Sequence, residues 1–117
     1  MNTKIFKCHH CNNVIISTDA GDSEFSCCMH LLNPEDEKVC EGRHDFDIEV
    51  SDGEYYVKSA HPMDKDHFIL AFIYKTDDKL SYVRLFSEGA CDARFKMMGH
   101  GKIYMLCNQH DLFYKEV

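Results

Sequence analysis

Residues 44–117 predict an all-β fold, a sandwich of short strands, on three observations. Phe46, Ile48 and Val50 alternate with Asp47 and Glu49, the period-two signature of a half-buried strand. Residues 68–74 (Phe-Ile-Leu-Ala-Phe-Ile-Tyr) are apolar on both faces, as a strand covered from both sides must be. Turn signals recur at short intervals and cut the segment into about seven strands.

Taken in order, 46–50 runs into Ser51-Asp52-Gly53, a hairpin turn, and 55–58 returns beside it. The strand at 68–74 is either central in the sandwich or covers a subunit interface. Thr76-Asp77-Asp78-Lys79 then turns the chain into 80–86, and Ser87-Glu88-Gly89 into 91–98. Gly99-His100-Gly101 leads to 103–106, and 112–116 closes the chain. Upstream, residues 35–43 follow Pro34, are polar and contain Gly42, so they read as a linker between a small module, 1–34, and the sandwich, 44–117. Cys40 within the linker reads as a reduced thiol.

A chain of 117 residues is one domain with at most a small appendage. No apolar run is long enough to span a bilayer, and Met-Asn-Thr-Lys-Ile-Phe-Lys-Cys lacks the apolar core of a signal peptide. The expected compartment is the cytoplasm, where the seven cysteines serve as thiolates rather than disulfides. A formal charge of −7 argues against nucleic acid and anionic membranes as partners.

Chemistry concentrates in two places. Cys8-His9-His10-Cys11 is a C-x-x-C knuckle, and Cys27-Cys28 follow after a polar stretch. Those four cysteines are enough to close one tetrahedral thiolate site, for iron or for zinc. His9 and His10 then face solvent. So short a segment buries little surface, so a metal should supply much of its folding energy.

The second constellation is His61-Pro62-Met63-Asp64-Lys65-Asp66-His67, read with Cys107-Asn108-Gln109-His110. Pro62 fixes its own φ and pushes His61 towards an extended conformation. Cys107 and His110 are three apart and cannot share a strand face, so they lie on a turn that aims a sulfur and a ring nitrogen at one point. Soft thiolate with imidazole suits iron, zinc or copper.

H-P-M-x-x-x-H followed by C-N-x-H resembles the iron site of the superoxide reductases, the desulfoferrodoxin and neelaredoxin family. The cysteine pair, with Asn12-Asn13-Val14-Ile15 after the knuckle, resembles desulforedoxin, the rubredoxin-like module in front of many of them. The resemblance implies an immunoglobulin-like β-sandwich carrying a ferrous ion, with His44, His61, His67 and His110 in a plane and Cys107 on the axis. It implies iron in the four-cysteine site as well, zinc being the alternative there. His44 matches the remaining family histidine, in competition with His100 and His30.

The family's lysine before that histidine aligns with Arg43, and its glutamate with Gly42, Glu41 standing one residue earlier. The family's tryptophan after the turn is Phe113 here. The implied activity is reduction of superoxide to hydrogen peroxide, with electrons from a rubredoxin-like donor, Arg43 steering the anion, and a homodimer as the assembly. An electron carrier working through the tetrathiolate iron, and a zinc-stabilised binding module, are the competing readings.

Overall fold

The computed structural model describes residues 1–19 and 21–117. Among the described residues all regular structure is β, and it divides into two compact units, Met1–Asp36 and Glu37–Val117.

The first unit is built on two hairpins. Strands β1 (Lys4–Lys7) and β2 (Val14–Ser17) pair antiparallel, with Lys4 opposite Ser17 and Lys7 opposite Val14. Strands β3 (Ser26–Cys27) and β4 (His30–Leu31) form a minimal second hairpin. Its core is small: Phe6, Cys8 and Leu32 are buried, with Ile15, Phe25 and Cys27 packed against them. Phe25 meets Phe6 edge to face at 5.0 Å. Lys7 is buried and paired with Glu35 at 3.0 Å.

The second unit is a two-sheet sandwich. Strands β6 (Asp47–Ser51), β7 (Glu54–Lys58) and β10 (Asp92–Lys96) make one sheet in the order β10-β7-β6. Strands β5 (Glu37–Val39), β8 (Ile69–Lys75), β9 (Leu80–Arg84), β11 (Lys102–Cys107) and β12 (Leu112–Glu116) make the other, ordered β5-β12-β11-β8-β9. Asp52 and Gly53 both have positive φ, 50° and 77°, between paired Ser51 and Glu54. That is a two-residue hairpin turn whose twist matches its strands. Phe46 and Ile48 pack into the core, but Val50, two residues from this turn on the free edge β6, is 65% exposed.

Of the two readings for residues 68–74, the central one holds. β8 is hydrogen-bonded to β11 on one side and β9 on the other, and Ile69 to Tyr74 are fully buried. Its ladder with β11 shifts register between Leu106, opposite Ala71, and Cys107, opposite Ile69. One extra residue in β8 at Leu70 reverses which side chains face inward. Ile69 therefore joins Phe72 and Tyr74 in the core despite its opposite parity, and Cys107 follows Ile103 and Met105 onto the inner face of β11. The segment expected to be a linker contains β5, which runs parallel to β12 with Lys38 opposite Phe113. Glu37 holds it there, accepting from the Tyr104 hydroxyl at 2.8 Å and from Lys102 at 3.3 Å.

Candidate metal centres

In the first unit, backbone hydrogen bonds shape the knuckle. The Cys8 N–H donates to the Asn13 carbonyl and the Asn12 N–H to the Cys8 carbonyl, both at 2.9 Å, with Asn12 left-handed at φ 60°. Asparagine tolerates that conformation better than most side chains. The β3–β4 hairpin turns on Cys28 and Met29, also left-handed at 51° and 64°. The four sulfurs lie within 4.8 Å of one another. Cys11 and Cys27 are 3.5 Å apart, and Cys27 and Cys28 3.9 Å. A tetrahedral site with metal–sulfur bonds of about 2.3 Å has sulfur–sulfur edges of about 3.8 Å, so the donor set has the size of a metal site.

Its electrostatics agree. Burial pushes the Cys8 thiol up, but the N–H groups of Cys11 and His10 outweigh it and bring the thiol down to about 6. Cys28, crowded by Cys11, Cys8 and Cys27, is pushed up to about 12. Cys8 forms a thiolate readily, whereas Cys27 and Cys28, both raised by their sulfur neighbours, need a cation among them. His9 and His10 are exposed and outside this set, with His10 stacked on His30 at 4.3 Å.

The second unit brings four histidines and one cysteine to one end of the sandwich. His44 closes a tight turn: its N–H donates to the Glu41 carbonyl at 3.0 Å, and the Glu41 N–H donates back at 3.1 Å. Gly42, first of the two central residues, has φ 56°, which favours glycine there. His61 is buried, and its ring Nδ1 lies 2.7 Å from the Pro62 carbonyl. That carbonyl makes Nδ1 the protonated nitrogen and leaves the Nε2 lone pair free. Cys107 ends β11 fully buried, with His61 Nε2 at 3.6 Å and His110 Nδ1 at 3.5 Å from its sulfur.

The rings form a closed circuit. His44 to His61 is 5.1 Å between centroids, His61 to His67 4.7 Å, His67 to His110 5.1 Å and His110 to His44 4.6 Å. Donor atoms of His44, His67, Cys107 and His110 lie within 4.8 Å of one another; His61 joins through Cys107. The Nε2 atoms of His44 and His67 are buried without a hydrogen-bond partner among the described residues. An orphaned buried lone pair is costly unless something binds it, so these residues fit a metal ion. Burial, then His110, His61 and His67, hold His44 down to about 4, and burial likewise lowers His61. Neutral imidazole is the form that ligates.

No protein-family model matches the chain. The desulfoferrodoxin of Nitratidesulfovibrio vulgaris is 31% identical over 99 residues, covering 79% of this chain and 78% of that protein. The chain belongs to the desulfoferrodoxin family. The desulfoferrodoxin of Desulfarculus baarsii is 29% identical over 115 residues, 92% of this chain and 90% of that one. The crystal structure of the superoxide reductase from Treponema pallidum shares the fold, with a TM-score of 0.79 and 24% identity over 97% of this chain and 98% of that one.

Phe113 stacks on His44 at 4.2 Å with the planes 10° apart. Arg43, in the turn before His44, is exposed and lines a cleft of about 390 Å³ with Asp45, Asp47 and Lys58; none of the four ring histidines borders it. A second cleft, of about 460 Å³, is bordered by His44 and His110, together with Lys38, Glu41 and Asp111. Lys38 pairs with Asp111 at 2.6 Å. Sequence reading passed over Lys38 because only the parallel β5–β12 pairing brings it here, and no local pattern announces such a pairing. Of the competing histidines, His30 sits against His10 in the first unit and His100 lines a cleft with Lys75 and Thr76. Cys40 and Cys91 pack against the core, and burial pushes each up to about 11.

Proposed function

We propose that the chain is a superoxide reductase: one electron and two protons convert superoxide to hydrogen peroxide, and no dioxygen is released. The observation that carries this reading is the circuit of four imidazoles with the Cys107 thiol against it, two of its ring nitrogens buried without a hydrogen-bond partner among the described residues. Iron held by His44, His61, His67, His110 and Cys107 supplies the one-electron reductant, which zinc, without redox chemistry, does not.

The chain's own residues do the rest. Imidazoles ligate in their neutral form, so four of them with one thiolate would leave a bound divalent ion with net positive charge, which would attract a small anion. Pro62 holds the His61 tautomer through its carbonyl, and Phe113 orients the His44 ring by stacking. With iron bound there, the thiolate of Cys107 would be its one sulfur ligand and would donate electron density to it. Arg43 steers the anion, with Lys38 and Glu41 beside His44 at the neighbouring cleft. Cys8, Cys11, Cys27 and Cys28 hold a second iron. The donor is an external rubredoxin-like protein, the compartment cytoplasmic and the assembly a homodimer, with a metal module and a sandwich as separate domains.

Metal analysis combined with superoxide-dependent oxidation tests this. The iron-loaded chain should be oxidised by superoxide with one peroxide formed per ferrous ion oxidised at the histidine-cysteine site, and Cys107→Ser should lose most of that reactivity while keeping its β-sheet circular dichroism. Evolution of dioxygen, or unchanged reduction in Cys107→Ser, overturns the reading.

A further inference from the structure

Asn108 lies between Cys107 and His110, yet its side chain is committed to another loop. Residue 108 is 8% exposed. Its Oδ1 accepts the Phe68 N–H at 3.0 Å, and its Nδ2 donates to the Asp66 carbonyl at 3.1 Å. Its own backbone N–H donates to the Phe68 carbonyl at 3.0 Å. The amide orientation follows from these partners, since exchanging O and N would set donor against donor and acceptor against acceptor.

The two groups it grips are the peptide groups on either side of His67. A neighbouring strand would supply one carbonyl and one N–H at that spacing, but the regular β8–β11 ladder has already shifted register at Cys107. The side chain of Asn108 therefore stands in for a strand where the ladder fails. Gln109 adds to the grip, its side-chain N–H also donating to the Asp66 carbonyl.

We propose that Asn108 is a positioning residue: its amide clamps the backbone around His67 onto the Cys107–His110 turn and so sets that imidazole against the other donors. The inference rests on the five-residue metal centre and holds whether or not the chain turns over superoxide. Fixing His67 in advance removes the ordering cost that metal binding would otherwise carry. The grip acts at a ligand's main chain, so its loss should resemble loss of a residue that orients a ligand, about 10- to 100-fold in metal affinity.

The test is a double-mutant cycle on the full chain, titrated with cobalt(II) against a chelator. Cobalt in a tetrathiolate site and cobalt bound by imidazoles and one thiolate absorb differently, so the four-cysteine site serves as an internal control. Asn108→Ala should weaken the imidazole-thiolate site by about 10- to 100-fold, change its absorption and leave the tetrathiolate bands unchanged. In a His67→Ala background the same substitution should cost no more than about twofold, because the ligand it positions is gone. Unchanged affinity in a folded Asn108→Ala protein, or an equal loss with and without His67, overturns the proposal. If Asn108→Ala does not fold, Asn108→Asp serves in the same cycle under the same criterion. It keeps the volume and the acceptor for Phe68 but turns an oxygen towards the Asp66 carbonyl. Failure of wild-type superoxide reduction leaves this cycle unaffected, so the two readings fail separately.

Discussion

His44 shows how one side chain ties the site to stability. Burial, followed by three neighbouring imidazoles, brings it from 6.5 to about 4. His61 is lowered in the same direction by burial, against its bond to Pro62. In the metal-free protein the folded state therefore binds fewer protons than the unfolded chain between about pH 6.5 and 4. Stability falls as pH is lowered through that window and the His44 contribution levels off below it. Asp45, held below 3.8 by Lys115, acts in the same sense but at lower pH. Denaturant midpoints of the metal-free chain should decline from pH 7 to pH 5, and His44→Gln should flatten the decline. An equal slope in His44→Gln would place the titrating group elsewhere. Residue identity is also where the sequence was most legible: cysteine and histidine are scarce enough for their spacing to speak.

At the scale of elements, the β3–β4 hairpin is the least conventional piece. Its two turn residues, Cys28 and Met29, both sit in left-handed backbone, where asparagine and glycine are usual. Cys28 is committed by its sulfur, but the Met29 side chain is 100% exposed and contributes no packing. A left-handed non-glycine residue costs about 1–2 kcal/mol. Met29→Gly should therefore stabilise the first unit by about 1 kcal/mol, part of the relief being offset by glycine's greater freedom when unfolded. Thermal unfolding of that unit, followed through its thiolate-to-metal absorption, should shift upward; a downward shift would mean that Met29 makes contacts in solution. The local pattern located this hairpin only through its two cysteines, since two-residue strands carry no periodicity to read.

At the scale of the whole molecule, the two units have their own cores and their own donor sets. Cys27→Ser or Cys28→Ser should disorder the first unit, whose buried core is small, while the second site still binds iron and reduces superoxide. Loss of activity with iron at the second site intact would make the tetrathiolate centre an obligatory electron relay. Net charge is the other property of the whole. A formal charge of −7 repels superoxide at a distance, but beyond a Debye length of about 8 Å at physiological salt that field is largely screened. One cation near the site then dominates the approach. Arg43→Ala should slow the second-order reaction with superoxide and flatten its decline with added salt. Equal rates and slopes would leave that role to Lys38, which borders the cleft shared with His44 and His110.

By itself the sequence determined the all-β class, the strand at 68–74, the hairpin turn at Asp52-Gly53 and the residue types of both donor sets. Each of these rests on a local period, a turn preference or the chemistry of a rare side chain, all readable within a few residues. Tertiary structure alone decided the rest. The extra residue at Leu70 turns Ile69 inward, opposite Cys107. β5 adds to the sheet within the expected linker and carries Lys38 beside Asp111. His44, rather than His100 or His30, completes the ring, and Asn108 bonds around His67. These depend on which distant strands pair and in what register, and pairing energy is spread over whole ladders rather than written at any one position.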